Sequence, residues 1–274
     1  MYIAVTGGNG RLGKVLISQL LGLGHKILSL DWSGIPAPGH EPFFRKIDLT
    51  HLDQLVEALS VCDAVIHLAA ILNPEDYPPG ICYLNNTVGS YHVLHAAISL
   101  GIHKICLASS INALGGARSR VGHYDYFPVD EDHPTYNEDD YALSKWVMEQ
   151  QADSFARRDP TVSISSLRFH ALPDEPPELQ NSLDDPTVGV ACTLWGWTLI
   201  DEAARACCLA VQADFHGHQV FFITAPRTSS AIPSLDLARY AYPDVPIHGD
   251  LSGHKSFYDC TKAHRFLGWD HKKY

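Results

Sequence analysis

The sequence lacks the features that mark membrane and nucleic-acid-binding proteins. No apolar stretch reaches the ~18 residues that a membrane-spanning helix needs. Basic residues are few, with 20 Lys and Arg against 31 Asp and Glu, and the formal net charge is −11. Non-specific binding to nucleic acid or anionic lipid requires a surplus of Lys and Arg. We therefore expect neither a nucleic-acid partner nor a membrane partner.

Disulfide and metal signatures are also absent. The seven cysteines are an odd, scattered set without a C-x-x-C pair, and no H-E-x-x-H motif occurs among the 16 histidines. The nearest histidine pairs, His92 with His95 and His216 with His218, do not form a ligand set. We expect reduced cysteines, no metal and a cytoplasmic location, because removal of a signal peptide would also remove the first predicted strand.

Apolar runs and helical periodicities alternate through the first two thirds of the 274 residues. The predicted strands are 2–6, 26–30, 43–47, 63–68, 103–108 and 162–168. The predicted helices are 11–23, 51–59, 80–100 and 137–157. This alternation predicts an α/β fold, a doubly wound parallel sheet with helices on both faces.

The composition changes near Leu172, where four prolines lie in an acidic stretch, 172–190, that we interpret as a loop over a ligand. Beyond it the pattern predicts a helix over 199–213, a strand over 219–224 and a short helix over 235–240. So small a tail cannot easily build its own core. We predict a main domain, 1–171, and a small C-terminal substrate lobe, 172–274, with the 219–224 strand returning to the main sheet.

A glycine turn directly follows the first predicted strand. Gly7 permits the tight turn, Gly10 permits close approach of a pyrophosphate, and Gly13 permits close packing of the helix on the strand. Phosphates would lie at the positive end of that helix. Asp31 ends the next strand about twenty residues later, where a carboxylate can accept both hydroxyls of an adenosine ribose. These residues predict a dinucleotide site.

Tyr141 and Lys145 stand at positions i and i+4 and share one face of a predicted helix. An earlier strand ends in Ser109 and Ser110, at the sheet edge where open α/β folds bind ligands. A Lys and a nicotinamide cation near a Tyr favour the phenolate, which would lower the pKa of Tyr141 from about 10 toward neutrality. Tyr141 is therefore a candidate general acid or base.

Further motifs make the chain resemble, over essentially its whole length, an extended short-chain dehydrogenase/reductase of the NAD-dependent epimerase/dehydratase family, with its Rossmann fold. These motifs are Asp48-Leu49 after the third strand, His67-Leu68-Ala69-Ala70 at the end of the fourth, Asn85-Asn86-Thr87-Val88-Gly89 on a helix, Ser109-Ser110, and the acidic run 128–132.

The resemblance implies a role for each matching residue. Ser110 orients the substrate oxygen, Tyr141 moves its proton, and Lys145 binds the nicotinamide ribose. The predicted cofactor-binding residues are Gly7, Gly10, Arg11, Leu12, Gly13, Asp31, Asp48, Leu49, Leu68, Ala69, Ala70, Asn85, Tyr141 and Lys145. NAD is favoured over NADP, because no Arg or Lys follows Asp31 in the run Trp32-Ser33-Gly34.

Several residues keep a second interpretation. Asp48 suits a helix N-cap as well as an adenine contact. Asn85 suits a buried backbone partner as well as the middle of the cofactor. Arg11 suits a phosphate contact or a solvated surface equally, and Lys14 and Arg168 are interpreted as structural.

Departures from the family pattern narrow the reaction. The family's dehydratases carry acidic residues after the catalytic Ser, where this chain has Ile111 and Asn112, so a dehydratase is disfavoured. Its sugar-nucleotide epimerases generally have a longer C-terminal portion, whereas this chain ends soon after Leu267-Gly268-Trp269. The compact tail resembles that of uronate dehydrogenases, although no carboxylate-binding Arg stands out in 172–190.

We therefore predict an NAD-dependent oxidoreductase that acts on a hydroxyl or carbonyl of a small non-nucleotide substrate, a free sugar derivative or secondary metabolite. The alternatives are an NAD-retaining epimerase acting on a sugar or sugar nucleotide, and a non-catalytic dinucleotide sensor. The resemblance also implies a homodimer through a paired helical face, if Tyr91, Leu94, Ile98 or Trp146 leave an apolar patch uncovered.

Overall fold

One seven-stranded, all-parallel sheet organises the molecule, in the order β3-β2-β1-β4-β5-β6-β7. The computed structural model describes residues 1–181 and 191–272. The strands are β1 (Tyr2–Thr6), β2 (Lys26–Asp31), β3 (Phe44–Lys46), β4 (Ala64–His67), β5 (Lys104–Ser110), β6 (Ser163–Phe169) and β7 (Gly217–Ile223). The predicted doubly wound parallel sheet is confirmed.

Helices cover both faces of this sheet. They are α1 (Arg11–Gly22), α2 (Leu52–Leu59), α3 (Ile81–Ser99), α4 (Asp140–Arg158), α5 (Ile200–Gln212), α6 (Ser234–Ala241) and α7 (Thr261–Leu267). One face packs against α1, α5 and α7, and the other against α2, α3 and α4. Across 1–181 and 191–272, no helix combines the length and the apolar character that crossing a membrane would require.

The apolar runs form strands because both of their faces are buried. Successive side chains of a strand point to opposite faces of a sheet. In β1, Ile3 and Val5 enter one hydrophobic core while Ala4 enters the other, and all three are fully buried. A strand buried on both faces reads as a continuous hydrophobic run, as β1 does.

A third core lies beyond the carboxyl ends of β5 and β7. Its large members are aromatic, and they come from segments far apart in the chain. They include Phe127, Trp195, Phe222, Tyr242 and Phe257. This core attaches the C-terminal third to the sheet edge where the predicted site lies. The division at 171/172 remains a prediction, and 182–190, including Pro186, lie outside the described residues.

Helices α3 and α4 pack side by side on one face of the sheet. Of the four residues expected at a dimer interface, Leu94 is fully buried within the monomer, Ile98 and Trp146 are half-buried, and Tyr91 is 43% exposed. Most of that apolar surface is therefore covered by the fold itself.

The homodimer remains a prediction, centred on Tyr91. Light scattering at micromolar concentration should give twice the mass of the chain, and Tyr91→Glu should shift the distribution toward monomer, because a charge would enter the apolar contact. A monomeric wild-type protein at that concentration would contradict it.

A buried ionic network attaches α4 to the sheet. The Glu149 carboxylate accepts hydrogen bonds from Arg168 Nε at 3.0 Å and Nη2 at 2.8 Å, and from Ser109 Oγ at 2.6 Å. Both Glu149 and Arg168 are buried. Arg168 therefore has the structural role that we inferred for it, and its partner lies one helical turn beyond Lys145.

We predict that Glu149→Ala destabilises the fold by about 3–5 kcal/mol, because it leaves a buried guanidinium without its partner. Urea unfolding measures this change. The matched control is Glu57→Ala, which removes an exposed ion pair to Arg45 and should cost about 0–1 kcal/mol. Equal losses in the two variants would show that the network contributes no more than a surface pair.

Candidate active site

The turn after β1 forms a narrow cradle that only glycine can build. The Gly7 N–H donates to the Leu30 carbonyl at 2.8 Å, and the Gly10 N–H donates to the Gly7 carbonyl at 3.0 Å. Gly7 has a φ of +71°, and a Cβ on it would lie 2.8 Å from the Ala69 nitrogen. A Cβ on Gly13 would lie 2.3 Å from the Gly7 oxygen. Gly7 and Gly13 therefore let the turn touch the loop after β4 and the first turn of α1.

The N-terminus of α1 suits a phosphate. Gly10 precedes the helix, no side chain caps it, and its first turn holds no acidic residue. The free N–H groups and the helix dipole both favour an anion there. Packing requires Gly10 less strictly, because a Cβ there would meet only the Gly7 oxygen at 3.1 Å. The space beside Gly10 would let a ligand approach its backbone closely, which is its predicted role.

Arg11 and Leu12 take different directions from the first turn of α1. Arg11 donates to the Leu172 carbonyl and to the Asp174 carboxylate, both at 3.1 Å, and its side chain is largely exposed. Leu12 is half-buried against the first core. In this structure Arg11 connects the glycine turn to the segment that follows β6.

Asp31 ends β2 beside the glycine turn and is buried. One carboxylate oxygen accepts the Asn9 N–H at 3.0 Å and the other accepts the Ser33 N–H at 3.1 Å. Each oxygen keeps a second lone pair, so a vicinal diol can still be bound. The sheet register also places Lys46 beside Asp31, with its ammonium near Gly34. Lys46 is a cation that chain order did not reveal.

Asp48 and Leu49 follow β3 at the same edge of the sheet. Asp48 Oδ1 accepts from the Thr50 N–H at 2.9 Å and from Thr50 Oγ1 at 2.8 Å, and these bonds lower the pKa of Asp48. The helix N-cap is His51, so Asp48 holds the preceding turn and is not the cap. The Leu49 carbonyl bonds to His92 at 2.9 Å.

The loop after β4 touches the glycine turn directly. The Leu68 N–H donates to the Thr6 carbonyl at 3.1 Å and the Ala69 N–H donates to Thr6 Oγ1 at 3.3 Å. Leu68, Ala69 and Ala70 are all half-buried. This loop therefore lies where the predicted cofactor would cross from β1 to β4.

Two adjacent asparagines on α3 have different surroundings. Asn85 is exposed. Asn86 is buried; its Oδ1 accepts the Ile71 N–H at 2.8 Å, and its Nδ2 donates to the Ile71 carbonyl at 2.9 Å and to Ser144 Oγ at 3.1 Å. We considered Asn85 as a partner of buried backbone groups; in the structure Asn86 makes those hydrogen bonds. Any cofactor contact of Asn85 remains a prediction.

The three predicted catalytic residues meet at the carboxyl end of β5. Ser110 ends the strand, accepts the Asn112 N–H on its hydroxyl at 3.1 Å, and lies close enough to Tyr141 to lower its pKa. Lys145 Nζ lies 5.6 Å from the centre of the Tyr141 ring and donates to the Ala108 carbonyl at 2.7 Å. Only 7% of Ser110, 8% of Tyr141 and 4% of Lys145 is exposed. Asp139 caps α4 by accepting the Tyr141 and Ala142 N–H groups, which sets where the helix begins.

Burial dominates the ionisation of this group. It raises the pKa of Tyr141 to about 12, against the lowering effects of the Ser110 hydrogen bond and the Arg118 charge. Burial also lowers the pKa of Lys145 to about 8. Our expectation of a lowered Tyr141 pKa includes the nicotinamide cation, so it remains a prediction for the protein with cofactor bound. The expected nicotinamide cation would act in the opposite direction to burial.

Arg118 is a functional candidate that sequence reasoning missed. It lies in the connection between β5 and α4, far from any predicted motif, and its guanidinium carbon is 5.5 Å from the centre of the Tyr141 ring. No spacing along the chain relates it to Tyr141. Three-dimensional folding alone brings the two together.

The chain is similar to known proteins in both sequence and structure. The sequence model of the NAD dependent epimerase/dehydratase family matches residues 3–172. A dTDP-6-deoxy-L-talose 4-dehydrogenase (NAD(+)) from Aggregatibacter actinomycetemcomitans is 27% identical over 177 residues, which are 63% of this chain and 62% of that protein. The chain thus spans about three fifths of that relative's length.

Two solved structures share the fold. The UDP-glucose 4-epimerase of Thermotoga maritima, solved with UDP-glucose, aligns with a TM-score of 0.71 and 22% identity, over 99% of this chain and 94% of that one. A mutated uronate dehydrogenase aligns with a TM-score of 0.72 and 20% identity, over 99% and 82%. Since the epimerase is almost fully covered, our inference from a shorter C-terminal portion does not separate this chain from it.

The Asp31 geometry predicts tighter binding of NAD than of NADP, because the carboxylate accepts a ribose diol and repels a 2′-phosphate. Calorimetry on the wild type and Asp31→Asn should show that the substitution reduces the difference between the NAD and NADP affinities. Asp53→Asn, an exposed position on α2, is the matched control and should leave both affinities unchanged. Lys46→Met tests the nearby cation and should weaken NADP more than NAD. Equal or tighter NADP binding by the wild type would contradict the assignment.

Proposed function

Because the chain belongs to the NAD dependent epimerase/dehydratase family, we propose that it is an oxidoreductase that uses NAD on a hydroxyl or carbonyl group of a small, non-nucleotide substrate. We favour a free sugar derivative as the substrate class, since a uronate dehydrogenase shares the fold. The cradle at Gly7 and Gly13, the uncapped start of α1 and the buried Asp31 carboxylate suit the dinucleotide.

The observation that carries the proposal is the meeting of Ser110, Tyr141 and Lys145 at the sheet edge beside that cradle. NAD, when bound, would supply the acceptor and donor for hydride transfer at the substrate carbon. Ser110 holds the substrate oxygen by a hydrogen bond. Tyr141, as phenolate, takes the hydroxyl proton as the carbonyl forms, and as phenol it gives the proton back in the reverse direction. Lys145, nearly excluded from water, stabilises the phenolate.

The burial of the same residues supports a small substrate. Tyr141 and Ser110 are nearly inaccessible, and Arg118 lies over the Tyr141 ring. A cleft of about 560 Å³ beyond β7 has other walls, among them Tyr258 and His264. The reacting oxygen must therefore reach groups that are nearly closed to solvent.

An epimerase acting on a sugar nucleotide is the second candidate. The near-complete coverage of the Thermotoga maritima epimerase, solved with UDP-glucose, favours it. The two functions differ in cofactor behaviour, since an epimerase recovers its NAD in each cycle and a dehydrogenase exchanges it. A non-catalytic sensor is disfavoured, because the Ser110, Tyr141 and Lys145 side chains lie together at the carboxyl end of β5.

Incubation with free NAD and a panel of small sugar alcohols, aldoses and uronates should produce reduced-nicotinamide absorbance with at least one compound. Tyr141→Phe should abolish this turnover while keeping the fold and NAD affinity, because it removes only the ionisable oxygen. Lys145→Ala should reduce both turnover and NAD affinity, because it has two proposed roles. Tyr136→Phe, which removes a phenol elsewhere, is the matched control.

Two results would reject the proposal in different ways. NAD that stays bound through purification, together with saturable binding of a nucleoside diphosphate outside the cofactor site, would establish the epimerase in its place. Near-wild-type turnover by Tyr141→Phe would show that Tyr141 is not the acid or base.

A further inference from the structure

Arg118 lies on a loop whose path is tightly constrained. The loop leaves the turn after β5 through Gly115 and Gly116, both at positive φ. A Cβ on Gly115 would lie 2.6 Å from the Tyr136 carbonyl oxygen, and one on Gly116 would lie 2.6 Å from the Cys192 carbonyl oxygen. These close contacts fix the path of the backbone that leads to Arg118.

Three hydrogen bonds then orient its guanidinium. Arg118 Nε donates to Glu75 Oε1 at 3.1 Å, and its Nη2 donates to the Leu72 carbonyl at 3.1 Å and to Asn73 Oδ1 at 3.2 Å. These partners belong to the segment 72–75 after β4. A planar guanidinium held at two edges has little rotational freedom. The loop after β5 and the segment after β4 are thereby joined above Tyr141.

The guanidinium and the Lys145 ammonium contact the same ring. The Arg118 carbon lies 5.5 Å from the centre of the Tyr141 ring and Lys145 Nζ lies 5.6 Å from it. Arg118 is only partly exposed, with a quarter of its side chain accessible. A cation in so shielded a position acts on a neighbouring phenolate more strongly than one in water.

We propose that Arg118 is a positioning residue that, together with Lys145, stabilises the ionised Tyr141, and that Glu75 holds it in place. The inference rests on the proposed role of Tyr141 as acid or base. It assigns to the 72–75 and 115–120 segments a part in the chemistry, through a contact that no motif in the sequence marks.

The other groups that face Tyr141 define what Arg118 must work against. Ser110 on β5 lowers the pKa of Tyr141 by a hydrogen bond, and the Arg118 charge lowers it as well. Burial is the largest cause in the opposite direction, and Cys82 on α3 and Asp139 before α4 also raise it. Lys145 is the other cation against the ring. Glu75, exposed at its far end, offsets part of the Arg118 charge.

The test is an NMR titration of the NAD-loaded protein carrying tyrosine labelled with carbon-13 at Cζ, a nucleus whose chemical shift reports ionisation. Tyr141→Phe assigns the signal. Arg118→Met should raise the Tyr141 midpoint by about one unit, and Arg118→Lys should restore most of the change. Glu75→Gln should change the Tyr141 midpoint by less than Arg118→Met does, because it removes a partner of Arg118 and also a negative charge, which act in opposite directions. Arg120→Met, in the same loop with its side chain 91% exposed, is the matched control and should leave the midpoint unchanged.

A midpoint unaffected by Arg118→Met would overturn the proposal, as would a wild-type Tyr141 that shows no ionisation below the ordinary tyrosine pKa of about 10. The titration needs no substrate, so its outcome is separate from that of the substrate panel. If a substrate is found, the pH profile of kcat/KM for Arg118→Met should move with the Tyr141 midpoint. At pH values below that midpoint, kcat/KM should fall about tenfold for each pH unit by which the midpoint rises.

Discussion

The seating of α4 on β5 is the contact on which the site depends. Lys145 Nζ donates to the Ala108 carbonyl within the strand, and one turn later Glu149 binds Ser109 of the same strand and Arg168 of β6. A shift of α4 by one residue would rotate its side chains by about 100° and break both contacts. The same seating places Tyr141 beside Ser110, so a structural network and a chemical group share one helix face.

Burial makes this group responsive to its ligands. Desolvation raises the pKa of Tyr141 and lowers that of Lys145, so burial shifts each group toward its neutral form. Any added positive charge near the ring acts in favour of the phenolate. We infer that the site develops its acid–base function together with the cofactor. The protein itself buries Tyr141 and holds two cations, Arg118 and Lys145, next to its ring.

The sheet and the main features of the site followed from the sequence because they rest on local rules. Strands buried on both faces are continuous apolar runs, Gly7 and Gly13 are required by close backbone contacts, and Tyr141 and Lys145 share a face by helical spacing. Asn86 was also within reach. It falls in the buried stripe of α3 with Cys82, Ser90 and Val93, whereas Asn85 does not.

Other features depend on contacts between distant segments and leave no periodic pattern. Lys46 lies beside Asp31 by strand register. Arg118 reaches Tyr141 because residues 72–75 hold its side chain. Helix α7 is too short to show helical periodicity. Sequence reasoning about the Tyr141 pKa counted the neighbouring charges and left out burial, because burial depends on segments that are distant in the chain.

A crystal structure of the protein with NAD bound tests the central claim most directly. The account predicts the adenine ribose at Asp31, the pyrophosphate at the start of α1, and the nicotinamide ribose at Lys145 with the nicotinamide ring facing Tyr141. A dinucleotide whose nicotinamide end lies away from Tyr141 and Ser110 would contradict it.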